Sequence, residues 1–278
     1  MPLVTLKPLL QPRLSRRIAW LHHGKYLPLL LWLVLVFTYR PPHYLFGVSL
    51  FAGLVLFLIL FVALSAWEQS LRRQFIREAV FPRFLGAKLR EAYPQLTARD
   101  TELVLHGLRQ FFMAHLRSNR QFVAMPSRVV DVAWHEFILH TRAYQQWCAH
   151  AFGALLHHTP AEVLGSSPRR NDGLRRTWFW ACKEESIDPR QPGRLPLLFA
   201  LDKKFAIAGG FSYVPDCSGI DRQSGDAYCG TSFGGCGGGS GGDSPGDATG
   251  FGGSDGGSAG SDGGSDSSCG GGCGGGGD

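Results

Sequence analysis

The chain has 278 residues, 44% of them hydrophobic, with 28 Lys and Arg against 22 Asp and Glu. The net +6 hides an asymmetry: residues 1–205 carry 27 basic and 13 acidic side chains, a net of +14, whereas residues 206–278 carry Arg222 against nine Asp, a net of −8. A basic body without any nucleic-acid-reading motif argues against nucleic acid as a partner and favours a membrane with anionic lipid.

In chain order, residues 1–25 form a basic N-terminal segment carrying Lys7, Arg13, Arg16, Arg17 and Lys25. Tyr26–Tyr39 follows, an uncharged run of 14 residues, about 21 Å long as a helix. Tyr44–Trp67 is 24 residues without a formal charge, about 36 Å as a helix and longer than a ~30 Å hydrocarbon core. Arg40-Pro41-Pro42-His43 between the runs cannot continue a helix and is short enough to join antiparallel neighbours. Residues 26–67 therefore read as a transmembrane helical hairpin with spans 26–39 and 44–67, a re-entrant first segment being the alternative. Basic residues precede the hairpin, and Arg72, Arg73 and Arg77 follow it, while only Arg40 lies in the turn, so both termini are expected in the cytoplasm. A cleaved signal peptide is rejected because the small residues Ala63 and Ser65 lie too deep behind too long an apolar run. Seven Cys in a cytoplasmic setting predict no structural disulfides.

Residues 68–208 read as an all-α domain of five or six helices. Leu71–Tyr93 is amphipathic and interrupted at Pro82. Thr97-Ala98-Arg99-Asp100 is a capping-box start before the apolar positions Leu103, Leu105, Leu108, Phe111, Phe112 and Leu116. Gln121–Met125 is short, apolar and expected to be extended before Pro126. Ser127 is placed to cap one long helix running to about His150. A further helix is predicted from Asn171-Asp172 through Trp178, Trp180 and Cys182, and a last one within Leu195–Phe205.

Several stretches occur in a telling order: Val130-Asp131-Val132-Ala133-Trp134-His135, Thr141-Arg142-Ala143-Tyr144, Trp147-Cys148, Phe152-Gly153, His157-His158-Thr159-Pro160, and the run from Leu195 to Asp202. Together they resemble the bacterial glycine-rich domain-containing proteins. Those are in turn similar, through a V-D-x-x-W-H core, to the plant glycine-rich domain proteins. The resemblance covers roughly residues 122–213. It implies a helical fold with a Gly-rich tail and, for a multi-pass chain, residence in the bacterial inner membrane; it implies no reaction.

Five of the ten His fall between His135 and His158, with Cys148 among them, and this crowding invites a metal reading, zinc above all. The string from His135 to His140 has one residue too many for the H-E-x-x-H of zinc proteases, which needs i,i+4 spacing. Asp131 and His135 do stand at i,i+4. One reading makes them a buried polar pair beside a core of Ala133, Phe137, Tyr144, Cys148 and Ala151. The other makes His135, with His157 or His158 and with Cys148 or Asp131, a metal site. Adjacent His157 and His158 point apart, so only one of them is expected to join. A Cys148 facing a core would be a poor nucleophile.

Residues 209–278 hold 28 of the 37 glycines and almost no apolar side chains, which predicts a disordered Gly/Ser/Asp/Cys tail. The tail has neither phosphate-loop spacing nor arginine repeats, and its Cys217, Cys229, Cys236, Cys269 and Cys273 match no zinc module. The expected function is a membrane-anchored cytoplasmic interaction or scaffold module with protein partners not specified by the sequence, no catalytic residues and no cofactor. The alternatives are a metal-binding protein using the 135–158 cluster, with hydrolysis as its candidate chemistry, and an anionic-lipid surface regulator.

Overall fold

The computed structural model describes residues 12–39, 43–159, 168–215 and 227–229. These residues are mostly helical, as expected: α1 (Pro12–Gly24), α2 (Leu27–Tyr39), α3 (His43–Glu78), α4 (Arg83–Ala92), α5 (Ala98–Arg117), α6 (Arg128–Leu139), α7 (Thr141–Ala151), α8 (Pro168–Glu184) and α9 (Leu197–Lys204). Two three-residue strands, β1 (Ser212–Val214) and β2 (Ala227–Cys229), pair in parallel. The turn at 40–42 lies outside the described residues.

α3 is the axis of the molecule, 36 residues and about 54 Å long. Its first half has no core to enter: Val48, Phe51, Leu56, Ile59 and Val62 are 58–70% exposed. Past Trp67 the same helix changes character, and Leu71, Phe75 and Ile76 are buried. α2 lies against the apolar half, where the Trp32 indole rests directly on Gly53; a Cβ there would stand 1.8 Å from Trp32 Nε1. Two helical stretches, Leu14–Val36 and Gly47–Glu78, are long and apolar enough to cross a membrane.

The basic N-terminal segment is helical from Pro12. Leu14, Ile18 and Leu21, spaced as one helical stripe, pack on the core, and α1 lies against α3 and α7. Arg16 and Arg17 stay exposed on the other side.

α5 is the centre of the helical domain and packs against α3, α4, α6, α8 and α9. Its start is the capping box read from the sequence: Thr97 Oγ1 accepts from Asp100 N at 3.2 Å, and Asp100 Oδ2 accepts from Thr97 N at 2.9 Å. Gly107 lets α6 and α9 approach, because a Cβ there would meet Leu201 Cδ1 at 2.6 Å and Val130 Cγ2 at 3.2 Å. Phe112 meets Trp147 at 4.6 Å between ring centroids, and Phe81, Phe137 and Phe152 close around Trp147 at 5.6–6.0 Å. The segment 121–127 has no regular structure and is clipped from α8: Arg176 donates to Phe122 O at 3.0 Å, and the Thr177 hydroxyl lies 2.9 Å from Ala124 O.

Two expectations need correction. The long helix from Ser127 to His150 is broken at His140 into α6 and α7. The His140 backbone N–H turns to Phe137 O at 3.2 Å, its ring Nδ1–H takes the Glu136 carbonyl at 3.1 Å, and the ring stacks on Phe84 at 3.7 Å. The side chain thus replaces the backbone donor that would have continued the helix. The expected tail also begins later than Gly209. Tyr213 is 2% exposed and meets Phe199 at 4.9 Å, so β1 belongs to the core. The tail beyond Cys229, with Cys236, Cys269 and Cys273, and residues 216–226, with Cys217, lie outside the described residues.

Candidate functional site

The site grows from the first turn of α6. Three donors there, Ser127 Oγ (2.7 Å), Arg128 N (2.7 Å) and Val129 N (3.1 Å), converge on the carboxylate of Asp202 in α9. Asp202 is 3% exposed and also accepts from Phe211 N at 2.9 Å. A carboxylate on the orphan N–H groups of a helix start satisfies them and complements the helix dipole. α6 is thereby fixed in position, with Val129, Val130, Ala133 and Phe137 buried.

The outward face of α6 carries Asp131 and His135 one turn apart, with His135 Nδ1 3.5 Å from Asp131 Oδ2. His158, from the irregular segment after α7, reaches the same carboxylate, its Nε2 3.0 Å from Asp131 Oδ1. The two imidazole rings lie 4.2 Å apart. One nitrogen from each ring and a carboxylate oxygen lie within 4.8 Å of one another. The side chains are 31% (Asp131), 49% (His135) and 12% (His158) exposed.

A second layer holds the segment that carries His158. Trp134, buried beside the site, donates its indole N–H to Tyr144 Oη at 3.1 Å, and Tyr144 donates to Leu156 O at 2.5 Å. Leu156 is two residues before His158, and the His158 ring stands edge-on to Trp134 at 4.6 Å. Burial pushes the Tyr144 phenol well above its ordinary range, so it remains a neutral donor.

The structure thus brings together three of the five candidate residues. His157 is exposed and does not join the cluster. Cys148 is fully buried beneath it, and burial pushes its thiol up to about 11, which leaves almost no thiolate for metal or nucleophilic chemistry at neutral pH. The reading of Asp131 and His135 as a buried pair is corrected: half of the His135 side chain is open to solvent. The apolar set expected opposite them, Ala133, Phe137, Tyr144, Cys148 and Ala151, is buried throughout.

A second polar centre, unforeseen from the sequence, joins α1 and the apolar helix α3 to the domain. Arg72 is 2% exposed; it donates from Nε and Nη2 to Glu68 Oε1 at 3.0 and 2.7 Å, and from Nη1 to Ala149 O and His150 O at 3.2 and 2.8 Å. It therefore caps the C-terminus of α7 from α3. Glu68 is gripped from α1's end as well, by Lys25 Nζ at 3.2 Å and His22 Nδ1 at 3.3 Å. The Glu68–Arg72 i,i+4 pair was visible as a spacing; its partners on α7, 77 and 78 residues away, were not. Beside this junction Gln69, Arg73, Leu116, Arg117, Asn119 and Trp180 line a shallow groove.

Residues 71–233, more than half of the chain, match the UCP032817-like family. The matched stretch opens where α3 turns from exposed apolar surface to buried core, and it spans the helical domain, β1 and β2. No curated protein and no solved structure matched the chain.

Proposed function

The chain belongs to the UCP032817-like family, and we propose that it is a membrane-anchored helical interaction or scaffold module. The observation that carries this reading is α3. An exposed apolar surface on the scale of α2 and the first half of α3 is untenable in water and suits a bilayer. The same helix enters the domain core without a linker, so domain and anchor move as one body. Arg72 and Glu68 sit at the change of environment and tie the anchor to α7 and to Lys25.

Basic residues on both sides of the hairpin, Lys25, Arg72, Arg73 and Arg77 among them, favour a hairpin with both termini in the cytoplasm. In the groove, exposed Arg73 is the cation that suits an anionic lipid headgroup near the bilayer surface, since Arg117 is paired with Glu184 at 2.8 Å. The likeness of the Val130–His135 stretch to the bacterial glycine-rich domain-containing proteins supports a bacterial inner membrane as the setting.

The test is extraction of the full chain from bacterial membranes. The protein is expected to stay with the membrane in alkaline carbonate and to leave it only in detergent, with tags at both termini accessible from the cytoplasm. Release by carbonate alone would overturn the anchor, and tags on opposite sides would overturn the hairpin.

A further inference from the structure

We propose that Asp131, His135 and His158 form a binding site for one zinc ion, with a fourth coordination position left to water. The inference is independent of the membrane reading, because it rests on the domain alone.

The donor set fits the metal. Two imidazole nitrogens and one carboxylate oxygen are the ligand class of open zinc sites, which keep three protein ligands and a solvent position. With bonds of about 2.0–2.1 Å, two ligand atoms of a tetrahedral zinc stand roughly 3.3 Å apart. His158 Nε2 stands 3.0 Å from Asp131 Oδ1 and His135 Nδ1 stands 3.5 Å from Asp131 Oδ2, so each ring is already near that distance from one carboxylate oxygen. One nitrogen from each ring and a single Asp131 oxygen fall within 4.8 Å of one another, so a rotamer-scale movement brings the three onto one ion.

Both imidazoles converge on the one carboxylate, His158 at Oδ1 and His135 at Oδ2, with their rings 4.2 Å apart. The buried Trp134–Tyr144–Leu156 chain holds the His158 segment against α6. It fixes His158 through the backbone two residues upstream, at Leu156 O. The half-open His135 leaves an entry path and room for the solvent ligand.

The experiment uses the full chain in detergent with Cys217, Cys229, Cys236, Cys269 and Cys273 replaced by Ser, so that tail thiols do not contribute. Zinc binding is measured by titration, and Co2+ is used as a spectroscopic probe of tetrahedral coordination. One equivalent of zinc is expected. His135→Ala, His158→Ala and Asp131→Asn should each weaken binding roughly 100-fold or more and His157→Ala less than about threefold, since even outer-shell partners of a metal are worth 10–100-fold. Tyr144→Phe, a positioning change, should weaken it roughly tenfold. Near-UV circular dichroism checks that each variant is folded, and the largely exposed His135 makes His135→Ala the safest of them. Zinc bound weaker than about 100 μM, a Kd worth only about 5–6 kcal/mol, would overturn the proposal. So would stoichiometric zinc that survives all three ligand substitutions.

Discussion

Replacing Asp202 by Ala is the sharpest perturbation of the domain. The carboxylate is 3% exposed and accepts from Ser127 Oγ, Arg128 N, Val129 N and Phe211 N. Hydrogen bonds to a charged group are worth about 1.5–3 kcal/mol each, but they are not additive. Removing the acceptor leaves backbone donors of the α6 start without partners, each costing about 1–3 kcal/mol when buried. A total loss of about 3–5 kcal/mol is expected, in line with breaking a buried charged contact. For a domain of this size, that lowers Tm by about 10–20 °C. Asp202→Asn keeps the shape and one accepting oxygen, turns an amide toward donors, and should cost roughly half as much. The assay is thermal unfolding of the detergent-solubilised chain followed by near-UV circular dichroism. A Tm within about 3 °C of wild type for Asp202→Ala, less than the ~1 kcal/mol of an ordinary cap, would refute the assignment of Asp202 as the anchor of α6.

Other outcomes follow from the buried polar groups. Arg72→Met should destabilise the chain by about 2–3 kcal/mol, because it uncaps α7 and leaves Glu68 only Lys25 and His22; Arg72→Lys should rescue only partly, since an ammonium cannot bridge both partners as a guanidinium does, and equal stability of Met and Lys variants would contradict this. Burial holds His115 down, from 6.5 to about 4, so the unfolded chain takes up its proton first: the contribution is complete above pH 6.5 and is lost as pH falls from 6.5 to about 4, by up to about 3 kcal/mol. His115→Gln keeps a donor for Gln121 O and should flatten that part of the Tm-against-pH curve; an unchanged slope would count against the buried neutral imidazole.

The sequence was most legible where the determinants are local. The capping box at Thr97 and Asp100, the apolar hairpin runs and the helix ending near Phe205 all follow from caps, periodicity and length. The break at His140 was hidden because no Gly or Pro marks it; a ring stacked on Phe84, 56 positions earlier, decides it. α1 was obscured by its charges, although Leu14, Ile18 and Leu21 already carry a helical stripe. In the site, Asp131 and His135 were paired by their i,i+4 spacing alone. The choice of His158 over His157 depends on where Tyr144 holds Leu156, a contact that spacing does not encode. Asp202 looked like an ordinary acid in a short helix, since its partners Arg128 and Val129 lie 74 and 73 residues away. The apparent start of the tail at Gly209 misled for a related reason: glycine-rich composition marks low burial on average, whereas Tyr213 packs on Phe199 and Phe211 N–H donates to Asp202, which together hold β1 on the domain.

The central claim is that one uninterrupted helix leaves the bilayer and becomes part of the domain core. Quenching by lipids brominated along their acyl chains, read from single bimane labels placed along α3 in reconstituted protein, tests it directly. Labels at Val48, Phe51, Leu56, Ile59 and Val62 should be quenched, whereas labels at the exposed positions Arg73, Gln74, Arg77 and Glu78 should not. Unquenched labels throughout 48–62, with the protein still bound to the vesicles, would contradict the claim.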